Sequence, residues 1–238
     1  GDLGQSAAGK TDKNGELTVP EVEQTERHGI YIVGYTDGTF GPSRSMTRSE
    51  AAAIFARLLA EKNGDTISTA ANTKFADIPA HAWYSGYVKY LCNNGITYGK
   101  SKTIFAPNDA ITRAEFTTMA VRFFDVYGDG DAEIISGFND VSSGYWAAEY
   151  IKYAALHGWI NGYGDGSFHA EREINRAEVV TIVKRLLGRE ADEDYIADNL
   201  RKLNTFPDVS RKHWAYYAVM EAANAHTAVL GESESWSK

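Results

Sequence analysis

Three arginines stand at the same place in three matching segments: Arg48 in Met46-Thr47-Arg48-Ser49-Glu50, Arg113 in Ile111-Thr112-Arg113-Ala114-Glu115, and Arg176 in Ile174-Asn175-Arg176-Ala177-Glu178. The steps from 48 to 113 and from 113 to 176 are 65 and 63 residues. A guanidinium is always charged, and its planar fork fits a carboxylate with two parallel hydrogen bonds. At the first position of a helix, the positive end of the backbone dipole disfavours a cation. An arginine placed there three times therefore serves something other than its own helix. One possible partner is an anionic ligand; the other is a carboxylate of a neighbouring repeat.

The residues around each arginine specify a helix start. Thr47 with Glu50, and Thr112 with Glu115, spell a capping box, and Asn175 with Glu178 is a close variant. Counting from each glutamate, positions +1, +4, +5, +8 and +9 are apolar. In the first repeat these are Ala51, Ile54, Phe55, Leu58 and Leu59, the spacing of one helix face turned to a core. Position +7 is Arg57, Arg122 and Arg185, expected near the helix end, where the dipole favours a cation.

A second set of signals alternates with the first. Phe75-Ala76-Asp77 leads to Trp83, Phe138-Asn139-Asp140 to Trp146, and Phe206-Pro207-Asp208 to Trp214. Each tryptophan heads helical spacing, as in Trp83, Tyr87, Val88 and Leu91, with the aspartate expected to shape the turn before it. A glycine-rich connection joins each of these halves to an arginine half: Gly34-Tyr35-Thr36-Asp37-Gly38-Thr39-Phe40 and Gly162-Tyr163-Gly164-Asp165-Gly166-Ser167-Phe168. Asp-Gly predicts a tight turn, with a short strand or hairpin beside it. The middle connection, Gly99 to Phe105, has Lys102-Thr103 instead, and Ala170 stands where Pro42 and Pro107 occur. The chain opens with an arginine half and closes with a tryptophan half, so a third unit is complete only if the termini meet. That order predicts a closed pseudo-threefold body.

Composition narrows the function. With 43% hydrophobic and 12% aromatic residues the chain has ample material for a core. A net charge of −8 without a Lys/Arg run argues against nucleic acid, and no apolar stretch is long enough for a membrane span. The start at Gly1 reads as a processed or trimmed piece. Cys92 is the single cysteine; alanines 155 and 223 at the matching positions mark it as a small core slot. The six histidines show no metal-ligand clustering in sequence, so neither metal nor cofactor is expected. Acidic segments at Asp12–Gly15 and Asp125–Asp131 lack the ligand spacing and closing glutamate of a calcium loop and read as solvated turns. Residues 1–20 are polar and read as an arm. The charged insertion 189–203 has room for a short helix around Tyr195 to Leu203.

The blocks Phe-x-Asp-(x)5-Trp, Gly-Tyr-x-Asp-Gly-(Thr/Ser)-Phe and Ile-Thr-Arg-Ala-Glu resemble the S-layer homology domain, present as a set of three over about residues 28 to 226. The resemblance implies a mostly α fold, a three-pronged spindle around a central three-helix bundle. It divides the chain into an arm (1–27), the second half of one unit (28–72), a full unit (73–135), a full unit with the insertion (136–203), and a first half (204–238) that completes the unit begun at 28. It also implies a secreted, non-catalytic module on the bacterial cell wall or S-layer, a monomer that binds secondary cell-wall polysaccharide in grooves between units. The expected sugar is pyruvylated N-acetylmannosamine, with peptidoglycan as a further partner. A pyruvyl ketal carries a carboxylate, and a helix start offers N–H groups and a positive dipole end. Arg48, Arg113 and Arg176 are thus the expected anion contacts, and replacing them with alanine is expected to leave folding nearly intact. Asp37, Gly38, Asp165 and Gly166 are candidates for sugar hydroxyls or loop shape. Tyr35, Tyr163, Trp83, Trp146 and Trp214 are candidates for stacking on sugar faces, with burial in the core the competing expectation for the tryptophans. The altered middle loop predicts unequal grooves. Two other classes stay open: an interaction module that binds no glycan, and an enzyme, which would need two facing carboxylates about 5 to 10 Å apart.

Overall fold

A computed structural model describes residues 10–11, 17–18, 24–127, 137–231 and 234–237. The three arginine halves form long helices: α1 (Arg48–Asn63), α3 (Arg113–Tyr127) and α5 (Arg176–Leu187). The tryptophan halves form short ones: α2 (Ser85–Asn93), α4 (Ala148–Leu156) and α7 (Tyr216–Ala223). The insertion carries α6 (Glu193–Asn199) and a 3-10 turn (Leu200–Lys202), as its spacing suggests. Helix is therefore the dominant regular structure among the described residues.

Each long helix begins with its expected cap. Thr47, Thr112 and Asn175 accept the amide of the glutamate three residues on, and that glutamate accepts the cap residue's own amide. The apolar stripe is buried as the spacing predicts. Phe55 meets Phe116 and Phe123 between α1 and α3, with ring centroids 5.3 and 5.2 Å apart. α1 packs on α2, α3 on α4 and α5 on α7.

The three helix starts close on one another. Met46 N–H donates to Ile174 O, Ile174 N–H to Ile111 O, and Ile111 N–H to Met46 O. All three side chains are fully buried. This cycle joins residues far apart in sequence, and the termini follow it. Asp77 accepts the amides of Phe105 and Ala106, and Asp140 those of Phe168 and His169. Asp208, in the last tryptophan half, accepts those of Phe40 and Gly41 in the first arginine half. These aspartates thus reach across their units to clamp the glycine-rich connections, beyond shaping the turn before the short helix.

The same pairing explains the first glycine of each connection. A Cβ on Gly34, Gly99 or Gly162 would lie within 2.5 Å of Phe206, Phe75 or Phe138. The Phe-x-Asp block and the glycine are two sides of one contact. Between them the connections form tight turns without strands: Tyr35 N–H donates to Thr39 O, and Tyr163 N–H to Ser167 O.

Two features depart from the sequence reading. Residues 24–27, assigned to an arm, belong to β3 (Gln24–His28), which pairs antiparallel with β4 (His226–Leu230). β4 in turn pairs with β5 (Ser235–Ser237), giving a three-stranded sheet in the order β3-β4-β5. Two further short strands, β1 (Lys10–Thr11) and β2 (Leu17–Thr18), pair antiparallel. The segments Asp12–Gly15 and Gly128–Asp131 lie outside the described residues.

Candidate functional site

The three arginines at the helix starts are 3–5% exposed. Arg48 donates from Nε to Phe105 O at 2.8 Å and pairs with Glu115 at 3.0 Å. Arg113 donates to Phe168 O at 2.9 Å and pairs with Glu178 at 3.2 Å. Arg176 donates to Phe40 O at 2.8 Å and pairs with Glu50 at 3.5 Å. Each arginine thus takes the capping glutamate of the next long helix, and the three pairs close a ring. The partner is the neighbouring repeat's carboxylate. Burial pulls the Arg113 and Arg176 guanidiniums below the usual arginine range, against the opposing pull of Tyr163 and Glu178, and of Tyr35 and Glu50.

The helix starts also lack the open N–H groups expected for an anion. The amides of Arg48, Arg113 and Arg176 donate to Asp109, Arg172 and Arg44 carbonyls. Those of Ser49, Ala114 and Ala177 donate to Pro107, Ala170 and Pro42. The third amide of each helix is taken by the cap. Ala170 fills the proline position without loss because only its carbonyl is used.

Trp83, Trp146 and Trp214 are not core residues: they are 53%, 55% and 65% exposed. Each lies two residues ahead of its short helix, in the turn rather than on the buried face. The buried tryptophans are Trp159 and Trp236.

Two grooves bring Tyr35 to Trp83 and Tyr163 to Trp214, while Trp146, Asp37, Gly38, Asp165 and Gly166 line neither. One, about 450 Å³, is lined by Tyr35, Glu50, Ile54, Arg57, Trp83 and Arg176 among others. The second, about 220 Å³, is lined by the corresponding Tyr163, Glu178, Ile182, Arg185, Trp214 and Arg113. Each takes its tyrosine and helix from one unit, its tryptophan from another, and a buried arginine in its wall. Arg57 and Arg185 were not among the site candidates, because position +7 had a dipole explanation. That explanation fits only Arg185; Arg57 and Arg122 sit in mid-helix. Arg185 is exposed and has no ion pair or hydrogen bond from its side chain among the described residues.

Asp37 and Asp165 shape their loops. Asp37 accepts the amide and hydroxyl of Thr39, and Asp165 those of Ser167. These bonds hold both carboxyls below the usual range. Gly38 and Gly166 take φ of +82° and +81°, which a side chain would strain. In the middle connection, where Lys102 stands at the aspartate position, the preceding Ser101 takes over as acceptor for the amides of Thr103 and Ile104. Cys92 is half-buried against the core, and burial raises its thiol pKa, the opposite of an activated nucleophile.

Six alternating half-units, closed by arginine–glutamate pairs with grooves at the seams, define a closed module of three repeats. The S-layer homology domain family matches residues 18–52, 74–117 and 137–180, and the chain belongs to that family. It is 33% identical to Cell surface glycoprotein 1 of Acetivibrio thermocellus over 87% of this chain and 9% of that protein. It is 30% identical to the Cellulosome-anchoring protein of the same organism over 96% of this chain and 49% of that protein. It is also 34% identical to the Surface-layer 125 kDa protein of Lysinibacillus sphaericus over 66% of this chain and 13% of that protein. The chain spans half or less of the length of each of these relatives.

Proposed function

We propose that this chain is a non-catalytic module that anchors its parent protein at the bacterial cell surface by binding an anionic secondary cell-wall polysaccharide. The observation that carries the reading is the pair of equivalent grooves. Each offers an exposed tryptophan face, a tyrosine and an arginine beyond the buried ring. Aromatic faces suit the apolar side of a sugar ring, and a guanidinium suits a ketal carboxylate. We assign the carboxylate contact first to Arg185, and to Arg57 only where its bond to Tyr31 O and its packing on Tyr87 give way, with Arg176 and Arg113 in the groove walls. Trp83 with Tyr35, and Trp214 with Tyr163, are the stacking surfaces. Asp37, Gly38, Asp165 and Gly166 hold the loops that present the tyrosines. The spindle arrangement around α1, α3 and α5, with residues 204–238 and 28–72 completing one unit, accounts for the clamp of Asp208 on the Phe40 loop. Two grooves engaging one polymer would add avidity without further contacts.

Pyruvylated N-acetylmannosamine is the sugar this chemistry fits. Calorimetric titration with purified wall polysaccharide, before and after mild acid removal of the ketals, tests it. Loss of binding on removal is the expected result. Binding that survives would move recognition to the neutral sugar faces. No binding to either form would refute the glycan reading and favour a protein or peptidoglycan partner.

A further inference from the structure

The fold assembles a histidine cluster that no spacing in the chain reveals, and it corrects the expectation that the histidines stay apart. His28 and His226 are cross-strand partners of β3 and β4, both buried. His28 Nδ1 lies 3.1 Å from His226 Nε2, and Glu234 Oε1 lies 3.4 Å from each of these two nitrogens. Ligand atoms about 2.0–2.1 Å from a tetrahedral zinc ion are about 3.4 Å apart, so the triangle has the size of one face of such a site.

The surroundings favour lone pairs pointing inward. His226 Nδ1 sits 2.9 Å from the Asn224 carbonyl, which can only accept, so this nitrogen carries a proton. Nε2 of a neutral His226 is then a lone pair facing the Glu234 carboxylate, an arrangement that one proton on His28 cannot satisfy at both atoms. Ligating histidines commonly hold their outer nitrogen on a carbonyl or carboxylate in this way. His28 Nε2 has the exposed Glu26 carboxylate 3.7 Å away, beyond hydrogen-bond distance. A carboxylate oxygen of Glu221, fully buried, lies within 4.8 Å of both imidazoles. Tyr31 donates to Glu221, and Arg189 pairs with it.

We propose that His28 Nδ1, His226 Nε2 and Glu234 Oε1 bind a divalent d-block cation, zinc by ligand type, with water as the fourth ligand, because both oxygens of Glu221 are held by Tyr31 and Arg189. Imidazole and carboxylate suit such an ion at tetrahedral geometry. The cation would staple β3 to β4 and to the segment leading into β5, at the place where the two ends of the described body meet. The inference is independent of the glycan reading.

The test uses the full chain without a polyhistidine tag, stripped with EDTA, desalted, and titrated with zinc chloride and, separately, cobalt chloride. Expected are one zinc per chain by mass spectrometry of the metal, intense tetrahedral cobalt absorption bands, and a Tm higher by roughly 5–10 °C at a hundredfold excess over Kd. His28→Gln and Glu234→Gln should each weaken zinc binding at least tenfold. Should His28→Gln not fold, Glu234→Gln and the wild-type cobalt spectrum still decide. The proposal is overturned by absence of stoichiometric metal, by weak octahedral cobalt bands, or by unchanged affinity in Glu234→Gln. It is equally overturned if acidification in EDTA raises Tm while zinc adds nothing, since a proton then fills the site.

Discussion

Arg48→Ala is the most informative single change to this molecule. Arg48 is buried, lies outside the lining of both grooves, and makes two contacts that nothing else replaces: Nε to Phe105 O at 2.8 Å and Nη1 to Glu115 at 3.0 Å. Its removal leaves a half-buried glutamate without its cation and a buried carbonyl without its donor. Breaking one side of a buried ion pair typically costs about 3–5 kcal/mol. For a chain of this size each kcal/mol moves Tm by about 2–4 °C, so a fall of roughly 6–20 °C follows. Urea and thermal denaturation measure it, with circular dichroism confirming that the variant still folds in the cold. A double-mutant cycle with Glu115→Ala should show coupling of at least about 1 kcal/mol, because the cap function of Glu115 cancels in the cycle. A loss below about 1 kcal/mol, or additive single changes, would refute the idea that the arginine–glutamate ring holds the repeats together. The same logic predicts that alanine at all three arginines destabilises the fold, against the sequence-based expectation that folding stays nearly intact.

Trp214→Ala and Arg185→Ala alter exposed side chains, so stability should stay within about 0.5 kcal/mol of wild type while polysaccharide affinity falls about tenfold or more by calorimetry. Gly162→Ala puts a Cβ 2.5 Å from the Phe138 ring and 2.7 Å from Ser167 O, and should cost about 1–3 kcal/mol in urea unfolding. Asp140 and Asp208 lose solvation on folding, which raises their pKa, but the backbone amides they accept more than compensate and hold them below the ordinary aspartate value. A carboxyl with a depressed folded pKa stabilises above its unfolded value, near 3.9, and that contribution is lost as pH falls through the folded value. The urea midpoint should therefore be level from neutral pH to about pH 5 and drop below about pH 4, with Asp208→Asn flattening part of the drop.

Much of the fold was legible because its determinants are local. Thr47 with Glu50 and Asn175 with Glu178 are short-range caps, and the stripe from Ala51 to Leu59 is a helix period; each reads without its partner. The site was less legible, for three reasons. Arg48, Arg113 and Arg176 advertise an anion, but a sequence does not say whether that anion is a ligand or a glutamate 65 to 126 positions away. Trp83, Trp146 and Trp214 keep helical spacing with buried residues, yet each sits in the turn before its helix and points out. The histidine pair joins positions 28 and 226 through two strands, β3 and β4, that are only five residues long and lie far apart in the chain. Arg57 and Arg185 were visible but already had an explanation, and a residue with a plausible structural task is easily passed over for a second one.

The ring constrains how the grooves can differ. Glu50, Glu115 and Glu178 each cap their own helix, neutralise an arginine of another unit and, for Glu50 and Glu178, line a groove. A residue with that many partners cannot change to suit a different sugar without cost to the fold, so specificity must be carried by the rim. The rim is where the units diverge. The middle connection carries Lys100 where Tyr35 and Tyr163 stand, and Lys100 is paired with Asp109 at 3.1 Å. Its position +7 arginine, Arg122, donates to Tyr150 Oη and lies over the rings of Tyr98 and Tyr150 at 4.9 and 5.0 Å. Arg57 is engaged in a similar way, donating to Tyr31 O at 3.2 Å and lying over the Tyr87 ring at 5.2 Å, whereas Arg185 has no such engagement among the described residues. An anionic sugar entering the seam of Arg122 must first displace that aromatic packing, while one entering the seam of Arg185 meets an exposed guanidinium and an exposed Trp214. Removing Arg122 should therefore change polymer affinity far less than removing Arg185. Equal losses in calorimetry would show that the rim does not set the difference between the grooves.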